Sequence, residues 1–454
     1  MKIIIVGCGK VGATLADKLN REGNDVVIID KTTSKVREVA NKYDLLGIIG
    51  NGATREVQKE AGVDSADLMI AVTGSDELNL LCCVMAKRKA SLQTIARVKQ
   101  PEYSVDSQHI KDELDLSLVI NPDYMAAEEI ARLLKFPAAL SIDTFAKGRV
   151  ELLRLRLPEG CELVGRSLKE AMLKLKSEVL ICTVERGDEV YIPNGDFIFN
   201  ERDVISIVAS QKNAQAFFKK LNHNLDSART VTIVGGGGVT HYLCEMLSRS
   251  GMEIKIIEKD PSVCDELSTR FDNVTVVSAN PADEAILIEE GATRTDAFIA
   301  LTDLDEENIL LSLFAKNGGS RKVVTKINRI EYDTVISKLE LDSIVYPKNL
   351  ASDVCIRHVR SKNKTRGSSM ESYYSVIKDS VEATEFIVEL GSPLIGKPLL
   401  SYKFKENVLI AAILRGKTVI VPRGSSVIES GDSVVIVAKG VSIRSLSDVL
   451  AKNK

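Results

Sequence analysis

No apolar run in these 454 residues reaches the ~18 needed to span a bilayer, so a link to a membrane has to run through a protein partner. Residues 1–6 read as a strand entering a glycine turn and not as a signal peptide. Neither sign of charge dominates: 60 Lys and Arg against 63 Asp and Glu leave a net charge of −3, which argues against a nucleic-acid partner or an anionic membrane surface. The basic stretches Lys87-Arg88-Lys89 and Arg360 to Arg366 are short, and read as a solvated helix end and a linker. CxxC is absent, as is any Cys/His pair at zinc spacing, and no metal is expected. The eight cysteines (Cys8, Cys82, Cys83, Cys161, Cys182, Cys244, Cys264 and Cys355) read as buried free thiols of a reducing cytosol. Cys8 also lies beside a helix N-terminus that can lower a thiol pKa, which leaves redox sensing as a minor alternative to the buried-thiol reading. There is no GxxxxGK[ST] loop and no nucleophile elbow. Only four histidines occur, His109, His223, His241 and His358. None ends an expected strand and none is matched between the halves of the chain, so they read as surface or helix residues.

What is present is a duplication. Laid on itself at an offset of about 229 residues, the chain aligns its two halves. Lys2-Ile3-Ile4-Ile5-Val6-Gly7-Cys8-Gly9 recurs as Thr230-Val231-Thr232-Ile233-Val234-Gly235-Gly236-Gly237. Asp25 to Lys31 recurs as Glu253 to Lys259, and Asp67 to Thr73 as Asp296 to Thr302. Each of the last pair runs into an acidic helix start, Ser75-Asp76-Glu77-Leu78-Asn79 and Asp305-Glu306-Glu307-Asn308. Further on, Arg186-Gly187, Pro193, Gly195 and Asp203 match Arg415-Gly416, Pro422, Gly424 and Asp432 with identical gaps. A period this long means duplicated domains and not a solenoid.

Apolar runs near 2–6, 25–30, 45–49, 67–72, 93–98 and 117–120 alternate with periodic helical segments. Such continuous runs suit a parallel sheet covered on both faces. Residues 150–212 instead carry short strands split by the turns Arg186-Gly187-Asp188 and Pro193-Asn194-Gly195-Asp196. The expected fold class is α/β: two tandem doubly wound Rossmann-like domains, each followed by a small α+β domain. The expected boundaries are 1–135, 136–225, 226–365 and 366–454, with Thr365-Arg366-Gly367-Ser368-Ser369 as a looser link in the second half.

Gly7-Cys8-Gly9-Lys10-Val11-Gly12 is a GxGxxG that follows a strand and opens a helix. Its glycines permit the tight turn, the approach of a pyrophosphate and close helix packing, while the helix N-terminus offers free N–H groups. Asp30, followed by Lys31, ends the second strand, where a carboxylate accepts from a ribose diol and repels a 2′-phosphate. In the second half Gly235, Gly237, Gly238 and Val239 recur, but Thr240 replaces the third glycine, which should push or tilt the helix, and Glu258 with Lys259 replaces Asp30 with Lys31. Asn51-Gly52-Ala53-Thr54 and its counterpart Asn280-Pro281-Ala282-Asp283 either edge an adenine or simply cap a helix. Thr73 and Thr302 end the fourth strands on the ligand side of such sheets. Asp76, Glu77, Asp305 and Glu306 either cap the next helix or line a ligand or subunit contact, and the matched cations Arg97 and Lys326 either meet phosphate or pair with those acids. A nucleotide site without visible chemistry reads as a sensor and not as an enzyme.

Together these features resemble the family of regulators of potassium conductance, found on Trk and Ktr uptake systems and on ligand-gated potassium channels. The likeness covers nearly the whole chain. It rests on Gly7, Gly9, Gly12, Asp30 and Asn51 to Thr54, on Gly235, Gly237 and Glu258, and on the segments Leu157 to Asp203 and Gly391 to Asp432. The resemblance implies binding of NAD(H) or of ATP and ADP, and a homotetrameric ring of eight nucleotide domains. It implies a cytoplasmic, peripheral place beneath an integral membrane potassium-transport subunit of the TrkH/TrkG kind, without membrane insertion. Two other readings stand beside it: a sensor serving another transporter, and an NAD-dependent oxidoreductase, which would need an acid or base beside the nicotinamide.

Overall fold

A computed structural model describes the chain except for residues 88–91, 105–106, 147, 222–227, 329–332, 340, 363–367, 378–379 and 452–454. His223, Arg88-Lys89 and Thr365-Arg366-Gly367 fall outside the described residues.

The first sheet holds β1 (Lys2–Val6), β2 (Asp25–Asp30), β3 (Leu46–Ile49), β4 (Leu68–Ala71), β5 (Gln93–Arg97) and β6 (Leu118–Ile120), all parallel, in the order β3-β2-β1-β4-β5-β6. Ile3, Ile4 and Ile5 are fully buried, because helices cover both faces of the strand. The order reverses between β1 and β4, and a ligand crevice opens at that point beyond the strand ends. An antiparallel sheet follows, of β7 (Ala139–Phe145), β8 (Val150–Arg156), β9 (Leu180–Arg186), β10 (Glu189–Tyr191) and β11 (Val204–Ala209), ordered β10-β9-β11-β8-β7.

The second half repeats both sheets. Strands β12 (Thr230–Val234), β13 (Glu253–Glu258), β14 (Val274–Ser278), β15 (Ala297–Ala300), β16 (Lys322–Lys326) and β17 (Ser343–Val345) take the order β14-β13-β12-β15-β16-β17. Strands β18 (Ser368–Ile377), β19 (Val381–Val388), β20 (Val408–Arg415), β21 (Thr418–Ile420) and β22 (Ser433–Lys439) form the second antiparallel sheet, β18-β19-β22-β20-β21. The Rossmann-like reading with a small antiparallel partner thus holds in both halves; the first partner carries α-helices Leu168–Leu175 and Gln211–Lys220, and the second only short 3-10 turns among the described residues. Two strands escaped it, β7 and β18; Ser368 and Ser369, read as part of a link, already belong to β18.

Like packs with like. Met1–Ala131 and Arg229–Ile356 make one compact unit, and Arg132–Ala228 and Arg357–Lys454 the other. In the first unit Lys18 of helix Lys10–Arg21 meets Asp353 of helix Pro347–Lys362 at 2.8 Å. Asn121 donates to the Tyr242 hydroxyl at 2.9 Å, and that hydroxyl donates to the Lys99 carbonyl at 2.9 Å. In the second unit one apolar core takes Phe145, Val150 and Leu152 from one copy and Val381, Ala383 and Val435 from the other. Phe145 stacks edge-on against Tyr374 with centroids 4.9 Å apart, and Tyr374 donates to the Thr144 carbonyl at 2.8 Å.

The residues matched between halves in the antiparallel sheets prove to be a brace. Arg186 forks onto Asp203 at 2.9 and 2.7 Å, and Arg415 onto Asp432 at 3.0 and 2.9 Å. Each aspartate also accepts a backbone N–H, from Asn200 and Glu429, both at 2.8 Å. The bidentate geometry fixes the β-hairpin against the turn before the next strand.

Candidate functional site

The turn after β1 is built for close approach. Gly7 has φ +107°, and a Cβ there would stand 2.9 Å from the backbone of Val72 and Thr73. A Cβ on Gly12 would fall 1.8 Å from the Gly7 carbonyl oxygen, so only glycine lets the helix start this near the turn. At Gly9 the added atom would meet no protein atom within 4 Å. Gly9 is the N-cap of helix Lys10–Arg21 and supplies no side-chain cap, so the first N–H groups of that helix have no capping partner.

Asp30 supports this turn from beneath. Its carboxylate accepts from the Cys8 N–H at 2.8 Å and the Thr32 N–H at 2.9 Å. Burial works to raise its pKa, but those two N–H groups, the Thr32 hydroxyl and nearby Lys35 hold it below the ordinary value. Cys8 runs the other way: burial and then the Asp30 charge push its thiol up to about 12, which fits a buried thiol and speaks against the minor alternative of a redox sensor. All eight cysteines are buried and none is in a disulfide.

A cavity of about 520 Å³ opens above the turn, within the usual range for ligand pockets. Of the expected contacts, Gly7, Gly9, Lys10, Val11, Asp30, Lys31 and Thr73 line it. Gly12 sits beneath as the packing glycine. The third loop lines the cavity through Gly50 and Gly52, and Asn51, Ala53 and Thr54 are not among the lining residues. Asn51 turns on itself, accepting the Ala53 N–H at 3.2 Å, while the Thr54 hydroxyl donates back to the Asn51 carbonyl at 2.9 Å. Thr54 stands at the N-cap position but makes no side-chain cap bond.

The two acids of the following helix sit in its first turn and differ in their surroundings. Asp76 is buried and accepts the Lys99 and Gln100 N–H groups at 2.7 and 2.8 Å, which fixes the loop after β5. Glu77 is exposed and held by Ser75 at 2.7 Å. Asn79, unmarked in the sequence by any motif, is the strut of this corner. It is fully buried, accepts from the Thr73 N–H and hydroxyl at 2.7 Å each, and donates to the Arg97 carbonyl at 2.9 Å. Arg97 lines the cavity with its Nε buried and without a hydrogen-bond partner. Burial lowers its pKa, against the opposing pull of Asp76 and Asp123.

The second repeat copies this frame with substitutions. Gly235 has φ +101° and backs onto Leu301, and Gly237 is again open. Glu258 accepts from the Gly236 and Asp260 N–H groups at 2.6 and 2.8 Å, as Asp30 does from Cys8 and Thr32. Thr240 is fully buried and donates its hydroxyl to the Gly235 carbonyl at 2.5 Å. Because a Cβ at the matching Gly12 would collide, helix and turn are spaced differently in the two repeats. Val239 is buried, Asn280 accepts from the exposed Ala282 at 3.1 Å, and Asp283 caps its helix through Ala285 at 3.0 Å. Asn308 repeats the strut, accepting from Thr302 at 2.8 Å and donating to the Lys326 carbonyl at 3.0 Å, and Asp305 accepts the Asn328 N–H at 2.9 Å. Lys326 is buried, which lowers its pKa, and its ammonium stands 3.8 Å from Asp303.

Comparison with known proteins follows the same division. A TrkA-N domain matches residues 3–122 and again 231–347, and a TrkA-C domain matches 152–222 and 383–451. The chain is 32% identical over 450 residues to a Trk system potassium uptake protein TrkA homolog of Archaeoglobus fulgidus, covering 99% of this chain and all of that one. It is 32% identical over 442 residues to the Trk system potassium uptake protein TrkA of Halomonas elongata, covering 96% of this chain and 95% of the relative. Among solved structures, the GsuK RCK domain superposes with a TM-score of 0.63 at 16% identity, over 96% of this chain and 92% of that one. The GsuK channel bound to NAD gives a TM-score of 0.63 at 16% identity, over 96% and 76% of the two chains. With the TrkA-N and TrkA-C pair present twice and full-length relatives at about a third identity, the chain belongs to the TrkA family.

Proposed function

We propose that this chain is the nucleotide-sensing regulatory subunit of a Trk-type potassium uptake system. The observation that carries the reading is the 520 Å³ cavity, with an uncapped helix N-terminus at its base and several cations in its wall. Those groups suit the pyrophosphate of NAD(H) or the phosphates of ATP and ADP. Lys10 and the N–H groups after Gly9 would hold phosphate, and Asp30 stands where a ribose diol would be met. Arg97, with its buried and unpartnered Nε, is the cation placed to answer a terminal phosphate.

The ligand's part is to add negative charge and bulk in this cavity; the protein's part is to exist in two arrangements that value that charge differently. A nucleotide moves such an equilibrium only by its difference in affinity for the two states. About 1–3 kcal/mol of coupling gives a several-fold to hundredfold response. Four chains in a ring would present this choice to an integral membrane partner of the TrkH/TrkG kind from the cytoplasmic face. No described helix is long and apolar enough to cross a membrane, which fits a peripheral subunit. The relatives carry the name of potassium uptake proteins, which favours that transport over another.

The test is equilibrium titration of the purified chain with ADP, ATP and NADH. Saturable binding that Asp30→Ala abolishes supports the reading. Binding that Asp30→Ala leaves intact moves the site elsewhere.

A further inference from the structure

The two repeats share a frame but not its charges. Lys10, Lys31, Lys35, Arg97, Lys99 and Lys348 line the cavity over the first glycine turn. At the first five of these positions the second repeat carries Gly238, Lys259, Val263, Lys326 and Asn328. Three of the five cations are gone, and Lys326 stands near Asp303.

The sixth lining cation, Lys348, belongs to the other repeat. Helix Pro347–Lys362 of the second repeat begins at the first cavity, and Pro347 and Lys348 are part of its wall. The matching helix of the first repeat, Pro122–Lys135, begins at the same cavity, where Pro122 and Asp123 join the wall, and from there Asp123 also reaches the second glycine turn. There the residue equivalent to Lys348 is Asp123. A Cβ on Gly238 would stand 2.7 Å from the Asp123 Oδ2, so the carboxylate closes on the first residue of helix Gly238–Leu247. The N-cap of that helix, Gly237, supplies no side chain, and an anion at this end is favoured by the helix dipole. Lys99 holds Asp123 in place at 3.2 Å. Lys10 and Lys348 thus share the wall of the first cavity, while Asp123, paired with Lys99 at the edge of that wall, sets its carboxylate against Gly238 at the second turn.

We propose that this exchange makes the two sites unlike, so that the second repeat lends Lys348 to the phosphate wall of the first cavity while the carboxylate of Asp123 takes the anion position at the second turn. The chain then holds one nucleoside di- or triphosphate, at Gly9, and the second turn is closed to phosphate by an internal substitute. This rests on the nucleotide reading of the first cavity and departs from the expectation that Gly235, Gly237 and Glu258 hold a nucleotide of their own.

Calorimetric titration of the full chain with ADP tests it by stoichiometry. The wild type should take one equivalent per chain. Lys348→Glu should weaken that equivalent by about tenfold or more, with Lys348→Arg close to wild type, since a charge-assisted contact is removed in one and kept in the other. Asp123→Lys combined with Gly238→Lys should restore the repeat's charge pattern and raise the count to two. Asp123→Asn, an isosteric change, should let a weak second equivalent appear even if the double variant folds poorly. Two equivalents in the wild type, or an affinity indifferent to Lys348→Glu, would overturn the exchange while leaving the nucleotide reading intact. A wild type that takes none of ADP, ATP or NADH would remove the nucleotide reading itself.

Discussion

Gly9 and Gly12 stand three residues apart in one turn, yet alanine should act at them in opposite ways. An alanine at Gly12 places its Cβ 1.8 Å from the Gly7 carbonyl oxygen and 3.0 Å from the Gly7 carbonyl carbon. Backbone atoms cannot rotate away, so the helix or the turn has to shift. Overpacking of this kind costs ~1–3 kcal/mol or more, and the better helix propensity of alanine returns ~1 kcal/mol. A 1.8 Å contact with backbone puts the cost at the upper end of that range, and the net loss of about 2 kcal/mol corresponds to ~4–8 °C in a domain of this size. At Gly9 the backbone is extended, at φ −76° and ψ −171°, and the new Cβ meets no protein atom within 4 Å. The cost to the fold is only that of a poor N-cap, about 1 kcal/mol or less. The methyl group does enter the space a phosphate would take. Thermal unfolding without ligand, paired with ADP titration, separates the two. Gly12→Ala should melt several degrees low; Gly9→Ala should melt near wild type and bind at least tenfold more weakly. A Gly9→Ala protein with undiminished ADP affinity would refute the placement of phosphate at this turn.

Asn79→Ala should cost about 1–3 kcal/mol, because it strands the Thr73 N–H and the Arg97 carbonyl that Asn79 joins, and denaturant unfolding measures this. Asp203→Ala should cost about 1–3 kcal/mol, since the Asn200 N–H loses its acceptor while Arg186, 35% exposed, can turn to solvent, and chemical unfolding of the variant reads the loss. Glu151 is buried, and burial raises its pKa to about 7 against the pull of Arg132. Its folded pKa lies above the unfolded value of 4.5, so stability is full below pH 4.5 and declines as pH rises through about 7. Glu151→Gln should therefore melt higher than wild type at pH 8 but not at pH 4.5. The opposite sign holds at Asp30: its lowered pKa supplies stability above about pH 4 that is lost as pH falls through the folded value, a loss Asp30→Asn should not show in an acid titration.

Much of the fold was legible because burial on both faces of a parallel sheet writes continuous apolar runs, as in Ile3-Ile4-Ile5-Val6 and Val231 to Val234. β7 and β18 were not. Ala-Leu-Ser-Ile-Asp-Thr-Phe and Ser-Ser-Met-Glu-Ser-Tyr-Tyr-Ser-Val-Ile are polar edge strands that find much of their apolar contact in the other copy, as Phe145 does on Tyr374. Asn79 could have been found, because Asn308 occupies the same place after the same acidic pair. Asn51 and Thr54 stayed open between adenine contact and helix cap because both follow the third strand; their polar groups close a local turn, and Gly50 and Gly52 are the residues of this loop that line the cavity. The roles of Asp123 and Lys348 depend on which repeat faces which, and periodicity carries no such information.

The account turns on nucleotide-dependent control of potassium entry. Rubidium uptake should be measured in cells lacking this chain, complemented with the wild type or with Asp30→Ala. Uptake restored by the wild type and lost with Asp30→Ala, at equal protein levels, is the predicted result. Uptake that proceeds alike with the wild type, with Asp30→Ala and with no chain at all would contradict it.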